Sequence, residues 1–351
     1  MKRKPFLIIA LFLLSGLYSF AQTYTILAKP AGGKDWGYAN LKGEFFIEPK
    51  FRDCIGFSEE GLAAIYDGKL KKFYFINLQG ETLPTEITDF KLIEVFGFGM
   101  KGFNDGLAAV KYKDLWGFLN TEGKLMVQAT FEKVTPFNGG FASGQKGGKF
   151  YVIDGNGNET LLDIPGLADV NEFSEGFAIF KTADDMVGFI DGNGKIAIPA
   201  KFKSAGDFSG GLAWAKDPTS SVGYIDVKGD WVVPPKFDAG KFYDPETGLA
   251  RIKMGDQWAY TNNRGDLSFI KDTEIWEDFF SGLARGKKNG LFGFYNSNME
   301  WVIMPQFDGA RDFKNGYASV KKGDKWGIID TAGNWVVEPK FEDIKDVVIS
   351  K

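Results

Sequence analysis

The chain has 351 residues, 44% hydrophobic and 16% aromatic, with 42 Lys and Arg against 46 Asp and Glu and a formal charge of −4. It contains no His and one Cys, which excludes an imidazole base, Ser-His and Cys-His pairs, the commonest zinc sites and any internal disulfide. Apolar material is ample for a core, and the acidic balance together with the export signal described next speaks against nucleic acid.

The chain opens as an export signal. "MKRKP" is a basic start, "FLIIALFLLSGLYSF" an apolar run, and Ser19 and Ala21 are the small residues before a cleavage site, so residues 1–21 are expected to be removed and Gln22 to begin the mature protein. The run is short for a bilayer span. A lipid anchor would need a Cys at the cleavage site, and the single Cys is Cys54. The expected location is therefore periplasm, cell surface or medium, with no membrane span after cleavage.

Residues 22–351 read as one repeat array. Units begin at Trp36, Phe73, Trp116, Phe150, Val187, Val222, Trp258, Phe292 and Trp326, and a period held this closely is a repeat architecture. Four residues after each start stands Asn40, Asn77, Asn120, Asp154, Asp191, Asp226, Asn262, Asn296 or Asp330, and three further on a Gly, replaced once by Met299. Asn or Asp opens a tight turn by bonding to its own backbone, and Gly closes it with a positive φ. In "GDKWGIIDTAGNWVVEPKF" (323–341) the reading is a strand at "WGIID", a turn at "DTAG" and a returning strand at "NWVVEP". The Pro column (Pro49, Pro199, Pro234, Pro305, Pro339) is expected to end that strand.

A second phrase, F-x-x-G-[LFY]-A, recurs at Phe103, Phe137, Phe173, Phe208, Phe279 and Phe313, more loosely at Phe57 and Phe242, and leads into another short strand. Each unit is then a meander of about three strands, with room for a short fourth after the Pro-x-Phe. "WGIID" is apolar on both faces, so the sheets should stack face to face. The Gly after the Trp (Gly37, Gly117, Gly188, Gly223, Gly293, Gly327) is expected to make room for a neighbouring unit's ring.

These Trp-Gly-x-x-Asp/Asn-x-x-Gly units resemble the WG-repeat (KWG) family of mostly bacterial tandem-repeat proteins, from about Thr23 to the C-terminus. Val187 and Val222 stand for the Trp, Ala259 for the Gly, "KFYFINLQG" lacks the Gly, and units three and seven lack the Pro. The resemblance implies an interaction module and brings no catalytic residue with it. The fold class expected is all-β, about nine short antiparallel meanders in a propeller-like or open solenoid stack. Nine exceeds the usual four to eight blades and leaves ring closure open.

No residue is assigned to catalysis, metal or cofactor. "DGNGNE" (154–159) and "DGNGK" (191–195) touch the calcium-loop pattern, but both fall on the repeat's turn and lack the downstream bidentate Glu. Paired carboxylates such as Glu59 with Glu60, or Asp184 with Asp185, fall in predicted loops. The variable columns are more telling. After G-[LFY]-A comes Ala64, Ala109, Ser143, Ile179, Trp214, Arg251, Arg285 or Ser319, and two further on Tyr66, Lys111, Gln145, Lys181, Lys216, Lys253, Lys287 or Lys321. Solvated strand ends and edge protection explain a Lys row. The functional reading makes Trp214, Arg251, Lys253, Arg285 and Lys287 a groove for an anionic or sugar-like ligand, its cationic ladder offset by something anionic. The function expected is a non-enzymatic exported scaffold for a protein or an anionic glycan or envelope component. The alternative is a propeller-like carbohydrate-active enzyme working with carboxylates alone, which needs two of them across one cleft.

Overall fold

The turns set the fold. In the computed structural model, which describes residues 22–95 and 99–350, Oδ1 of Asn40 accepts from the backbone N–H of Lys42 and Glu44, and Oδ1 of Asp330 from Ala332 and Asn334. Asp154 and Asp191 do the same, so the two calcium-like stretches are hairpin turns of this pattern. Gly43 and Gly333 close their turns at φ 72 and 85, and Met299 takes the same conformation at φ 64. The segment expected to direct export, residues 1–21, lies outside the described residues.

Each turn joins the third strand of an antiparallel sheet to its outer strand, and most of these sheets have four strands. One sheet runs Ser204–Ala205, Leu212–Lys216, Val222–Asp226, Trp231–Phe237 in spatial order. The short fourth strand of the sequence reading exists, but it begins the next sheet: Phe237 ends one outer strand and Ala239 starts the next blade. The described residues contain strands and no helix.

The ring closes. The first strand, Thr23–Pro30, pairs antiparallel with the last, Trp335–Ser350, through Thr23–Ser350, Ile26–Val347 and Ala28–Ile344. The last strand is 16 residues long because it serves twice, as outer strand of blade 9 up to Phe341 and as first strand of blade 1 beyond it. Among the described residues nine blades therefore form a propeller fastened by the pairing of its first and last strands. The core agrees, since nine apolar clusters each join one blade to the next. The cluster of Leu27, Tyr38 and Phe51 with Phe57 and Ile65 joins blades 1 and 2, and that of Ile328 and Val337 with Ile26 and Val347 joins blades 9 and 1.

Two expectations are corrected here. The Gly after the Trp does not make room for a neighbour's ring. A Cβ on Gly37 would lie 2.7 Å from Ile47 O and 2.8 Å from Pro49 N, and on Gly327 2.5 Å from Val337 O and 2.9 Å from Pro339 N, all within the same blade. The Pro does not end the returning strand either. Pro49 sits inside Phe45–Phe51, where the single residue Gly37 of the third strand faces three of the outer one, Glu48, Pro49 and Lys50, a bulge on an edge that needs no Pro N–H. Gly and bulge are one device, and the outer strand depends on it. It is seven residues long beside Gly37, Gly117, Gly188, Gly223 and Gly293. Beside Tyr151 it shrinks to Glu159–Leu161, beside Ala259 to Leu267–Ser268, and beside Tyr74 to a single bridge, Ile76–Thr82.

Candidate functional site

The two variable columns lie on the second strand of each blade, and the first of them faces the first strand of the next blade. Ser143 Oγ donates to Val170 O at 3.3 Å and Ser319 Oγ to Lys345 O at 3.0 Å. The arginines do the same with more reach: Arg251 Nη1 donates to Trp276 O, and Arg285 Nη1 to Ala310 O at 2.5 Å. The column holds blades together by supplying donors to carbonyls across the junction. Tyrosines two residues past the unit start add a parallel set, Tyr38 to Ile55 O at 2.8 Å, Tyr224 to Lys241 O at 2.9 Å and Tyr260 to Glu277 O at 2.6 Å.

The arginine ladder is real, but its charge is offset inside the chain. Glu277 bridges the two residues, 3.3 Å from Arg251 and 3.4 Å from Arg285. Arg251 Nε lies 2.8 Å from Asp278 Oδ1 and Arg285 Nε 3.3 Å from Asp312 Oδ1, as charge contacts rather than aligned hydrogen bonds. The Arg251 side chain keeps 12% of its surface exposed. Arg311, which the column reading missed, continues the series to Asp343 at 3.3 Å and to Ile344 O across the closing junction. Burial pushes the carboxyls of Asp278 and Asp312 upward while Arg251 and Arg285 pull them back. The acids stand directly before the Phe of F-x-x-G, and that column was the legible signal for them.

Trp214 and the lysines fare differently. The Trp214 ring lies over Gly206, where a Cβ would come within 2.6 Å of Cδ1, and it is half-buried against the core between blades 6 and 7. Lys287 Nζ stands 5.2 Å from the Phe292 centroid, and neither Lys253 nor Lys287 is ion-paired among the described residues. The structure thus brings Arg251 and Arg285 together, spends both on ion pairs, and leaves Lys253 and Lys287 as the free cations of the five.

Among the carboxylates singled out earlier, Glu60 Oε1 accepts from Gly106 N at 2.7 Å as a latch between blades, and Asp185 pairs with Lys181 at 2.5 Å. A different pair shares a cleft of about 330 Å³: Glu172 and Asp207, with Thr135, Asn171 and the Lys133–Asp169 ion pair in its wall and no aromatic ring. Burial raises both carboxyls, that of Glu172 against the opposing charge of Lys101.

The sequence matches the model described as WG containing repeat over residues 36–70, 116–150, 188–217, 223–258, 292–326 and 326–348. Those are the six units that keep the Gly. No curated protein matches the chain in sequence. Among solved structures, a eukaryotic initiation factor is similar at a TM-score of 0.62 and 13% identity, covering 94% of this chain and 98% of that one. BamB from Moraxella catarrhalis gives a TM-score of 0.35 and 13% identity over 70% of this chain and 89% of its own. At 13% identity the likeness to the initiation factor speaks of fold alone.

Proposed function

The chain belongs to the WG-repeat family, and from that we propose that it is a non-enzymatic binding scaffold that works outside the cytoplasm. The observation that carries the reading is the closed ring. Fastening Thr23–Pro30 to Trp335–Ser350 makes a rigid disc, and a rigid disc presents loops in fixed positions, the usual basis of recognition by repeat folds. The packing columns are consumed by the blade junctions, and so are Arg251 and Arg285, which leaves the loop faces for a partner. The partner class is a protein or an anionic glycan of the cell envelope. Export rests on the basic and apolar stretch ahead of the first strand.

The test is capture. Immobilised protein lacking residues 1–21 is expected to retain a discrete component of a cell-envelope extract at low salt and to release it as salt rises. Retention no greater than that of a blank matrix contradicts the reading. N-terminal sequencing of protein recovered from outside the cytoplasm should begin at Gln22. The cleft of Glu172 and Asp207 favours a second reading, carboxylate-based glycan hydrolysis, and release of reducing ends that disappears in Glu172→Gln would establish it.

A further inference from the structure

The ring is fastened by a strand that begins one residue after Gln22, the expected first residue of the mature chain. Thr23 opposes Ser350, Tyr24 opposes Ile349, Thr25 opposes Val348 and Ile26 opposes Val347. The Ser350 hydroxyl donates in turn to Ser58 O of the next blade at 2.8 Å. Removal of residues 22–26 would erase all four of these pairs and take the fully buried Ile26 out of the core. Exopeptidases start at chain ends that fray. A clasp that begins this close to a free α-amine is therefore exposed to trimming from that amine.

Gln22 is exposed and lines a cleft of about 400 Å³ together with Phe57, Val348 and Ile349. Its side chain has room there to turn back on its own backbone nitrogen. Cleavage before Gln22 would leave that nitrogen as an α-amine, and an α-amine titrates at about pH 8, so part of it is uncharged and nucleophilic near neutrality. The side-chain amide carbon stands where attack by this amine closes a five-membered ring, and a reaction within one residue needs no second molecule to be brought in. The ring uses only N, Cα, Cβ, Cγ and Cδ of Gln22, so Thr23 keeps its place opposite Ser350.

We propose that Gln22 of the mature protein is converted to pyroglutamate, and that this lactam guards the clasp of the ring. The α-nitrogen attacks Cδ and a C–N bond forms there. The bond from Cδ to the side-chain nitrogen breaks, and that nitrogen takes the proton the amine gives up and leaves as ammonia. Nothing is oxidised or reduced, and no co-reactant is consumed. The product has lost the terminal charge and the α-amine that an aminopeptidase must engage. The residue type matters, because an Asn would have to close a strained four-membered ring and a Ser carries no acyl group. The modification rests on the export and cleavage proposed above, which create the amine.

The test is mass spectrometry of the N-terminal peptide of the full chain, expressed with its own leading segment, recovered from outside the cytoplasm and kept cold so that ring closure during handling does not contribute. The expected peptide begins at residue 22 and is about 17 mass units lighter than its sequence requires, the loss of one ammonia. Leucine aminopeptidase should leave the protein intact, and pyroglutamate aminopeptidase should expose Thr23. Gln22→Asn changes one exposed side chain and should fold as the parent does. It should begin at residue 22 at full mass, lose residues 23–26 to leucine aminopeptidase roughly tenfold faster than the parent, and then melt at a lower temperature. An unmodified Gln22 at the N-terminus of the exported protein overturns the proposal and leaves export standing. A peptide that begins elsewhere, or a chain that keeps residues 1–21, overturns the cleavage site and the proposal with it. Equal trimming of the parent and Gln22→Asn overturns the guarding role.

Discussion

The missing Cβ of Gly327 faces Pro339 across one blade: built on the backbone, it would stand 2.9 Å from the Pro nitrogen and 2.5 Å from Val337 O. Gly327→Ala therefore drives a methyl into main chain that a side-chain shift cannot clear. An Ala in a strand is ordinarily better than Gly, so the sign is diagnostic. A loss of roughly 1–3 kcal/mol is expected in denaturant unfolding. A variant as stable as the parent would mean that the Gly does not seat the bulge.

Arg251 holds two carboxylates that have few other partners. Arg251→Ala leaves Asp278 buried and charged beside Glu277, and a cost of about 2–4 kcal/mol is expected. Arg251→Ala with Asp278→Asn should cost less than the two single losses added, because the second change removes the orphaned charge. Additivity would deny the pair. A ladder of uncompensated charge would instead have made the Ala variant neutral or stabilising, so this measurement separates the structure from the simpler reading of the columns.

Burial pushes the Asp207 carboxyl upward, and among the described residues it has no ion-pair partner in its cleft. A carboxyl raised in the folded state binds its proton more tightly there than in the unfolded chain, so stability is greatest below the ordinary value of 3.8 and falls as pH rises through the raised one. Asp207→Asn should flatten that fall and raise the melting temperature slightly at neutral pH. Equal slopes in parent and variant across the acid range would show that Asp207 is not the group responsible.

The sequence made the repeat legible because turn chemistry is local. Asn40 or Asp330 makes its hydrogen bonds within four residues, and the positive φ of Gly43 or Gly333 follows from the turn alone. Sheet membership was less legible, because Phe237 and Ala239 are near neighbours in sequence that belong to different sheets. The role of the Gly was misjudged for a related reason: a vacancy in a strand tells that something approaches closely, and not whether it is a neighbour's ring or the same blade's backbone. The columns place Arg251 and Arg285 side by side, and Glu277 bridges them in the fold. Their carboxylates come from the following blade, where pairing depends on a three-dimensional rotation that a column of aligned residues does not contain.

The central claim is the closed ring, and the most direct measurement is a disulfide across its seam. Thr25 and Val348 are register partners of the first and last strands, and directly opposed residues of an antiparallel pair stand at about the Cα separation a disulfide needs. In a Cys54→Ser background, Thr25→Cys/Val348→Cys should oxidise within one chain, lose two mass units and melt at a higher temperature, since the bond closes nearly the whole chain into one loop. Two thiols that stay free in the folded protein under the same oxidant, or that bond only between molecules, would contradict the ring and return the molecule to an open stack.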